Sequence, residues 1–257
     1  MRIDINSDLG EGFGPYTIAD DAALMGVITS ANVACGYHAG DPVVMDRTIR
    51  LAKEHGVDLG AHVSYPDRMG FGRRQMQMDL GELEKHVLYQ LGALDGLARP
   101  IGHRITHMNP HGALGNLACA DRAVADALVR ATSDFDPDIA FLVLSGTQLE
   151  AAAREAGRRT INLFLADRAY TIDGQLAPRA MPGAVIKDNA AVVARVLRLL
   201  KDGSVETIDG QILHVAVQSI LVHSDTPGSL AMAHDIRTAI LASGGAISPL
   251  SQLGEGP

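Results

Sequence analysis

Short apolar runs alternate along the chain with longer stretches in which apolar residues recur every three or four positions. The short runs fall at residues 2–6, 29–34, 57–61, 104–108, 139–144, 161–165, 184–186 and 219–222, and each predicts a strand. Helical patterns fill the gaps, so the order strand, helix, strand predicts a mostly parallel sheet of βα units. Several helix ends are marked. Asp41-Pro42 supplies an N-cap and a proline for the first helical position, and Gly56 follows the last turn. Asp79 with Glu82, and Thr147 with Glu150, have capping-box spacing. Thr226-Pro227 opens the last long helix and Gly244 closes it. Asp173-Gly174 and Asp209-Gly210 sit between short alternating runs and predict hairpin turns, decorations on a barrel rather than a second domain. Residues 1–250 are therefore expected to form a single β/α-barrel domain, with 251–257 as a frayed tail.

Composition narrows the class. A chain of 257 residues suits one large α/β unit, and 47% apolar residues excludes disorder. The 22 basic and 30 acidic residues leave a net charge of −8, which argues against nucleic acid or an anionic membrane surface as partner. Cys35 and Cys119 are too few for a disulfide framework and fit a reducing compartment. The opening Met-Arg-Ile-Asp puts charge where a signal peptide needs an apolar core, and no window nears the roughly eighteen apolar residues of a membrane span. A cytoplasmic location is expected. Homo-oligomerisation is left open.

Titratable residues collect after the strands. Asp8 and Glu11 follow the first, His38 and Asp41 the second, His62 ends the third, and His111 follows the fourth. Asp167 and Arg168 follow the sixth run, and His223 and Asp225 the last. In a parallel barrel these ends open on one face, where active sites are built. Plainer roles exist for several of them. Asp8 could form a turn, Asp41 could only cap its helix, and His62 could be a hydrogen-bonded core histidine. His55, His86 and His234 have no partner in view, and His103 and His107 read as structural. No P-loop, dinucleotide fingerprint, nucleophile elbow or His-Glu-x-x-His helix occurs. Asp8, His38 and His62, converging from separate strand ends, could form an Asp-His-His site for a divalent metal.

The combination resembles the LamB/YcsF family of bacterial 5-oxoprolinase A subunits. It is carried by Asp4-Ile-Asn-Ser-Asp-Leu-Gly-Glu-Gly12, residues 30–41, Gly60-Ala-His62, Tyr65-Pro-Asp-Arg68, Gly70-Phe-Gly-Arg73, Pro110-His-Gly112, Ala166-Asp-Arg168 and His223 with Asp225-Thr-Pro-Gly228. The resemblance implies a glycoside hydrolase/deacetylase-like barrel of seven or eight strands. It implies ATP-dependent opening of the lactam 5-oxoproline to L-glutamate, with Mg-bound ATP as co-substrate and subunits B and C as partners. Three segments depart from the family. Its Lys-Pro-His-Gly-x-Leu-Tyr-Asn becomes Asn109-Pro-His-Gly-Ala-Leu-Gly115-Asn, its Glu-Val-Phe-Ala-Asp-Arg begins here with Leu163, and its Cys-x-His-Gly-Asp becomes Leu221-Val-His-Ser224-Asp. A cation and an anion are both gone. If they faced each other, losing one would strand a charge, whereas losing both would be nearly neutral.

The working expectation is amide hydrolysis with Asp8, His38, His62 and His111 as the acid/base residues. Glu11, Asp41, His223 and Asp225 would bind substrate or orient the imidazoles, and Arg168 would grip a substrate carboxylate through its planar fork. The rival readings are a metal-dependent deacetylase and a non-catalytic subunit that presents a small amide to its partners.

Overall fold

The computed structural model describes residues 1–254. Seven parallel strands close the barrel: β1 Arg2–Leu9, β2 Ser30–Ala34, β3 Asp58–His62, β4 Ile105–Met108, β5 Ala140–Val143, β6 Thr160–Leu165 and, after a hairpin of β7 Ser204–Glu206 with β8 Ile212–His214, β9 Ser219–Val222. β9 pairs with both β6 and β1, which shuts the ring. A short β10, Ala246–Ile247, adds to the start of β1 outside the closure. The helices are α1 Asp21–Met25, α2 Pro42–His55, α3 Leu80–Ile101, α4 Gly112–Ala120, α5 Arg122–Phe135, α6 Gln148–Glu155, α7 Asn189–Asp202 and α8 Ser229–Ala242.

Helix starts follow local chemistry. Asp41 Oδ1 accepts from the Val43 and Val44 amides at 2.8 and 3.0 Å, which begins α2. Its Val44, Met45, Ile49 and Ala52 form one buried stripe, and each large aliphatic side chain there contributes roughly 1.5–3 kcal/mol. Thr147 and Asp79 cap α6 and α3 as expected, although Glu150 reaches back to the Gly146 amide rather than to its cap. α8 starts at Ser229, later than Thr226-Pro227 suggested, because the Thr226 hydroxyl donates to Asp167 instead of capping.

Three further expectations change. Residues 184–186 form no strand. Val185 makes a single bridge to Arg168, and the flanking Ala184 and Ile186 backbone groups pair with the loop after β6. That removes the eighth barrel strand. Residues 251–254, expected to fray, are held: Arg159 donates to the Leu250 and Leu253 carbonyls, Asp58 accepts from Ser251, and Gln218 donates to the Gly254 carbonyl. The remainder of that tail, 255–257, lies outside the described residues. His86 also has a partner, since its Nδ1 lies 2.7 Å from the Tyr37 hydroxyl.

The barrel interior is polar on one side. Asp4, Asn6 and Asp8 alternate along β1, and a period of two puts them on one face. Asp4 accepts from Ser30 and Ser219 on the two neighbouring strands, and Asn32 donates to both Asn6 and Asp8. His107 on β4 reaches Asn32 on β2 across β3, and it can do so because β3 carries Gly60, where any Cβ would collide with the His107 ring.

Candidate active site

Above this polar layer the C-terminal strand ends bring Asp8, Glu11, His38, His62 and His111 together, all of them buried. His38 and His111 stack with ring centroids 3.9 Å apart and planes 8° from parallel, and His62 sits edge-on to both. His38 Nε2 is 3.0 Å from Glu11 Oε1. Burial, then the charge of His62, pushes the His38 imidazole well below its usual range, and burial with His38 and His62 does the same to His111. Both rings are neutral near pH 7, which two stacked imidazoles require.

His62 is set apart by its partners. Its Nδ1 donates to the Asn109 carbonyl at 2.8 Å, which directs Nε2 toward Asp8 Oδ1 at 3.3 Å. A bare ring nitrogen and a carboxylate oxygen are both acceptors, so this contact is favourable only with a proton or a cation between them. Burial would raise the Asp8 carboxyl, but the nearby His62 and His223 rings and the hydrogen bond from Asn32 hold it well below the usual carboxylate range. The opposite holds for Glu11. Burial, Asp8 and Asp225 push its carboxyl well above normal, and its Oε1 faces His38 Nε2. Adjacent groups are thus driven apart in acidity, as acid/base chemistry at neutral pH requires.

Glu11, His38, His62 and His111 each present one ligand atom, and these lie within 4.8 Å of one another. Among the described residues, His38 Nδ1, His62 Nε2 and His111 Nδ1 are buried without a hydrogen-bond partner. Three free imidazole nitrogens beside a carboxylate fit a divalent transition ion. The set differs from the Asp8, His38 and His62 trio expected from sequence. Asp8 is instead engaged by Asn32 and His62, while Glu11 and His111 complete the group.

A cavity of about 570 Å³ opens beside the cluster, lined by Asp8, His62 and His111 on one side. Opposite them β5, β6 and β9 contribute Leu142, Leu163, Leu165 and Leu221. Asn109 and Leu163, where the chain departs from the cation and anion of the family it resembles, line this same cavity, as does Gly115. His223 lines it too; its Nδ1 donates to Asp167 at 2.8 Å, leaving Nε2 for a ligand. The segment after β3 folds over the cluster. Phe71 stands edge-on to His38 and His111, each 5.5 Å away, and Arg73 ties this segment to Asp225 after β9 at 2.5 Å.

Two expected substrate-binding residues are committed elsewhere. Asp41 spends Oδ1 on its helix cap and Oδ2 on the Gly14 amide at 2.7 Å, so it braces the rim and does not line the cavity. Arg168 lines the cavity, but its Nε and Nη2 donate to the Ala184 and Ala177 carbonyls, which occupies the fork expected to take a carboxylate. Asp225 faces Arg73. The expectation missed Arg179, an exposed cation at the cavity edge, and the Asn32 amide that fixes Asp8. No local sequence signal marks Arg179, because the irregular segment carrying it is placed by tertiary contacts. Asn32 was detectable as a polar residue inside a buried apolar run.

Comparison with known proteins shows close relatives. The chain is 54% identical to a 5-oxoprolinase A subunit of Pseudomonas syringae pv. tomato, over 98% of this chain and 99% of that one. The crystal structure of a "lactam utilization protein" from Thermus thermophilus superposes with a TM-score of 0.92 at 40% identity, covering 97% of this chain and all of that one. At 14% identity, the catalytic domain of a peptidoglycan N-acetylglucosamine deacetylase from Eubacterium rectale shares the fold alone, with a TM-score of 0.51 over 98% of this chain and 89% of that one. Residues 3–255 match the LamB/YcsF family, and the chain belongs to that family.

Proposed function

We propose that this chain is the lactam-opening subunit of a 5-oxoprolinase-type hydrolase, working with two partner subunits, B and C, and driven by Mg-bound ATP. The observation that supports it is the contrast within one buried cluster. His62 and Asp8 are arranged to hold a proton, while His38 and His111 are kept neutral within ring contact. A lactam is a stable amide. Its opening needs a base for the attacking water, an acid for the departing nitrogen, and an activated carbonyl. Neutral His111 or His38 takes the water proton, and the His62–Asp8 pair returns one to nitrogen as the C–N bond breaks. Transfer of the ATP γ-phosphoryl group to the lactam oxygen, with ADP leaving, activates the carbon. Addition of the first water and C–N cleavage give an acyl phosphate, which a second water hydrolyses to the carboxylate and phosphate. Arg179 at the cavity edge takes the substrate carboxylate, the role that Arg168 cannot fill.

The test is incubation with 5-oxoproline and ATP, with and without candidate B and C subunits, measuring glutamate and phosphate. Equal yields of the two products that need all three chains are expected. No glutamate from any combination refutes the reading. His62→Ala and His38→Ala in the full assembly should each lower turnover by about 100-fold or more; full activity in both would remove the acid/base assignment.

A metal-dependent amide hydrolase is the second reading, favoured by the three unpartnered imidazole nitrogens next to Glu11. An ion there would polarise the amide oxygen and acidify water. Elemental analysis of purified protein, with activity before and after chelation, separates the two. Activity that is indifferent to chelator in metal-free protein rules this reading out.

A further inference from the structure

The mouth of the barrel is divided. β1 and β3 bring Asp8 and His62 to the cavity, whereas β5, β6 and β9 bring Leu142, Leu163, Leu165 and Leu221, all buried. Leu144 and Leu149 extend the same wall. Arg168, the cation nearest this half in sequence, has Nε and Nη2 turned to backbone carbonyls. Cys119 lines the wall as well, and burial raises its thiol to about 11, so it acts there as an apolar surface and not as a nucleophile. A ligand carboxylate or amide pressed against these leucines would lose its water without gaining a partner. The volume, about 570 Å³, equals that of roughly nineteen waters at about 30 Å³ each, more than one small lactam ring fills.

We infer that the site takes γ-lactams carrying an aliphatic substituent, with the amide held at the histidine half and the hydrocarbon laid along the leucine wall. This inference rests on the mouth being a lactam site. It goes further, because it names the part of the substrate that 5-oxoproline lacks. Hydrocarbon displaces water from an apolar wall that offers water no hydrogen bonds, so binding should tighten by about fourfold for each added methylene until the wall is covered. Leu163, at the centre of β6, is the residue that sets this preference: in Leu163→Asn the wall keeps its size and loses its apolar character.

Titration calorimetry on the full chain with 5-methyl-, 5-propyl- and 5-pentylpyrrolidin-2-one reads the slope directly. A graded gain is expected in the wild type, is kept in Leu163→Met, and falls below about twofold per methylene in Leu163→Asn. Thermal melts of both variants confirm folding, and Leu221→Asn supplies a second polar replacement should Leu163→Asn fail to fold. Equal affinity along the series, or an unchanged slope in the folded Asn variant, overturns the inference. Graded binding with no turnover of any lactam by the three-chain assembly supports the inference and defeats the proposed activity. Turnover of 5-oxoproline alongside a flat series does the reverse.

Discussion

Asn32 performs no chemistry, yet it fixes three residues at the centre of the barrel. Its amide nitrogen donates to Asp8 at 2.8 Å and to Asn6 at 2.6 Å, and its oxygen lies 3.0 Å from His107 Nε2. Burial keeps His107 neutral, with its imidazole lowered to about 3, so one ring proton serves the contacts with Asn32 at Nε2 and with the Thr106 hydroxyl at Nδ1, 2.9 Å away. Asn32→Ala would strip a hydrogen-bond partner from three buried polar groups, Asn6, Asp8 and His107, at roughly 1–3 kcal/mol each before relaxation. Denaturant unfolding should show a loss of several kcal/mol, and turnover should fall further than stability explains because Asp8 is released. Asn32→Asp is a sharper probe. It keeps the shape but sets a carboxylate against Asp8, so it should cost turnover even where the protein stays folded. The sequence revealed the ionisable half of this site, since Asp8, His38, His62 and His111 stand at the ends of apolar runs. The neutral half was signalled only by Asn32 as a polar residue inside a buried apolar run, and that signal says nothing of the residues it faces.

The segment from Asp67 to Arg74 acts as a single element. Asp67 accepts from the Gly70 amide at 2.9 Å and pairs with the Arg74 guanidinium, which folds the segment back on itself. Phe71 then takes the left-handed conformation, with φ of +54°, unusual for an aromatic residue, and sets its ring edge-on to His38 and His111. Strain retained beside a cluster of titratable groups is consistent with a role in keeping water off the histidines. Phe71→Gly would relieve the backbone while removing the cover. Stability should hold or rise by up to about 1 kcal/mol in chemical denaturation, while turnover drops about tenfold or more. A parallel loss of both would mean the ring is only packing. Next to it, Gly72 has φ of +64°, and a Cβ there would press on Ser64 Oγ and on His111 Nδ1, 2.6 Å away, so Gly72→Ala should lower both stability and turnover. No pattern of apolar residues announces this element. Gly70-Phe-Gly-Arg73 could be recognised only by family resemblance, since its conformation depends on side-chain bonds within the loop.

At the scale of the whole barrel, hydropathy was enough for the ring of parallel strands but not for its closure. Residues 184–186 have the apolar character of a strand, yet closure at β9 leaves them no free edge, and their backbone bonds go to the loop after β6. One fully buried carboxyl lies at the far end of the barrel from the active site. Asp4 is fully buried and accepts from Thr29 and Ser30 at 2.7 Å and from Ser219 at 2.5 Å. Burial raises its carboxyl to about 7 from 3.8, with those hydroxyls pulling the other way and nearby Asp58 adding to the rise. A folded-state value above the unfolded one means the folded protein holds this proton more tightly. The stabilisation is therefore complete below about pH 4 and is lost as pH climbs to about 7, by on the order of a few kcal/mol. Other buried groups bend the profile differently: His38, His107 and His111, all depressed, weaken the fold as acid protonates the unfolded chain. Subtracting the urea-unfolding profile of Asp4→Asn from that of the wild type removes those shared terms. The difference should favour the wild type most at pH 4 and decline steadily to a plateau above pH 7, and a difference independent of pH would mean that Asp4 is ionised in the folded barrel.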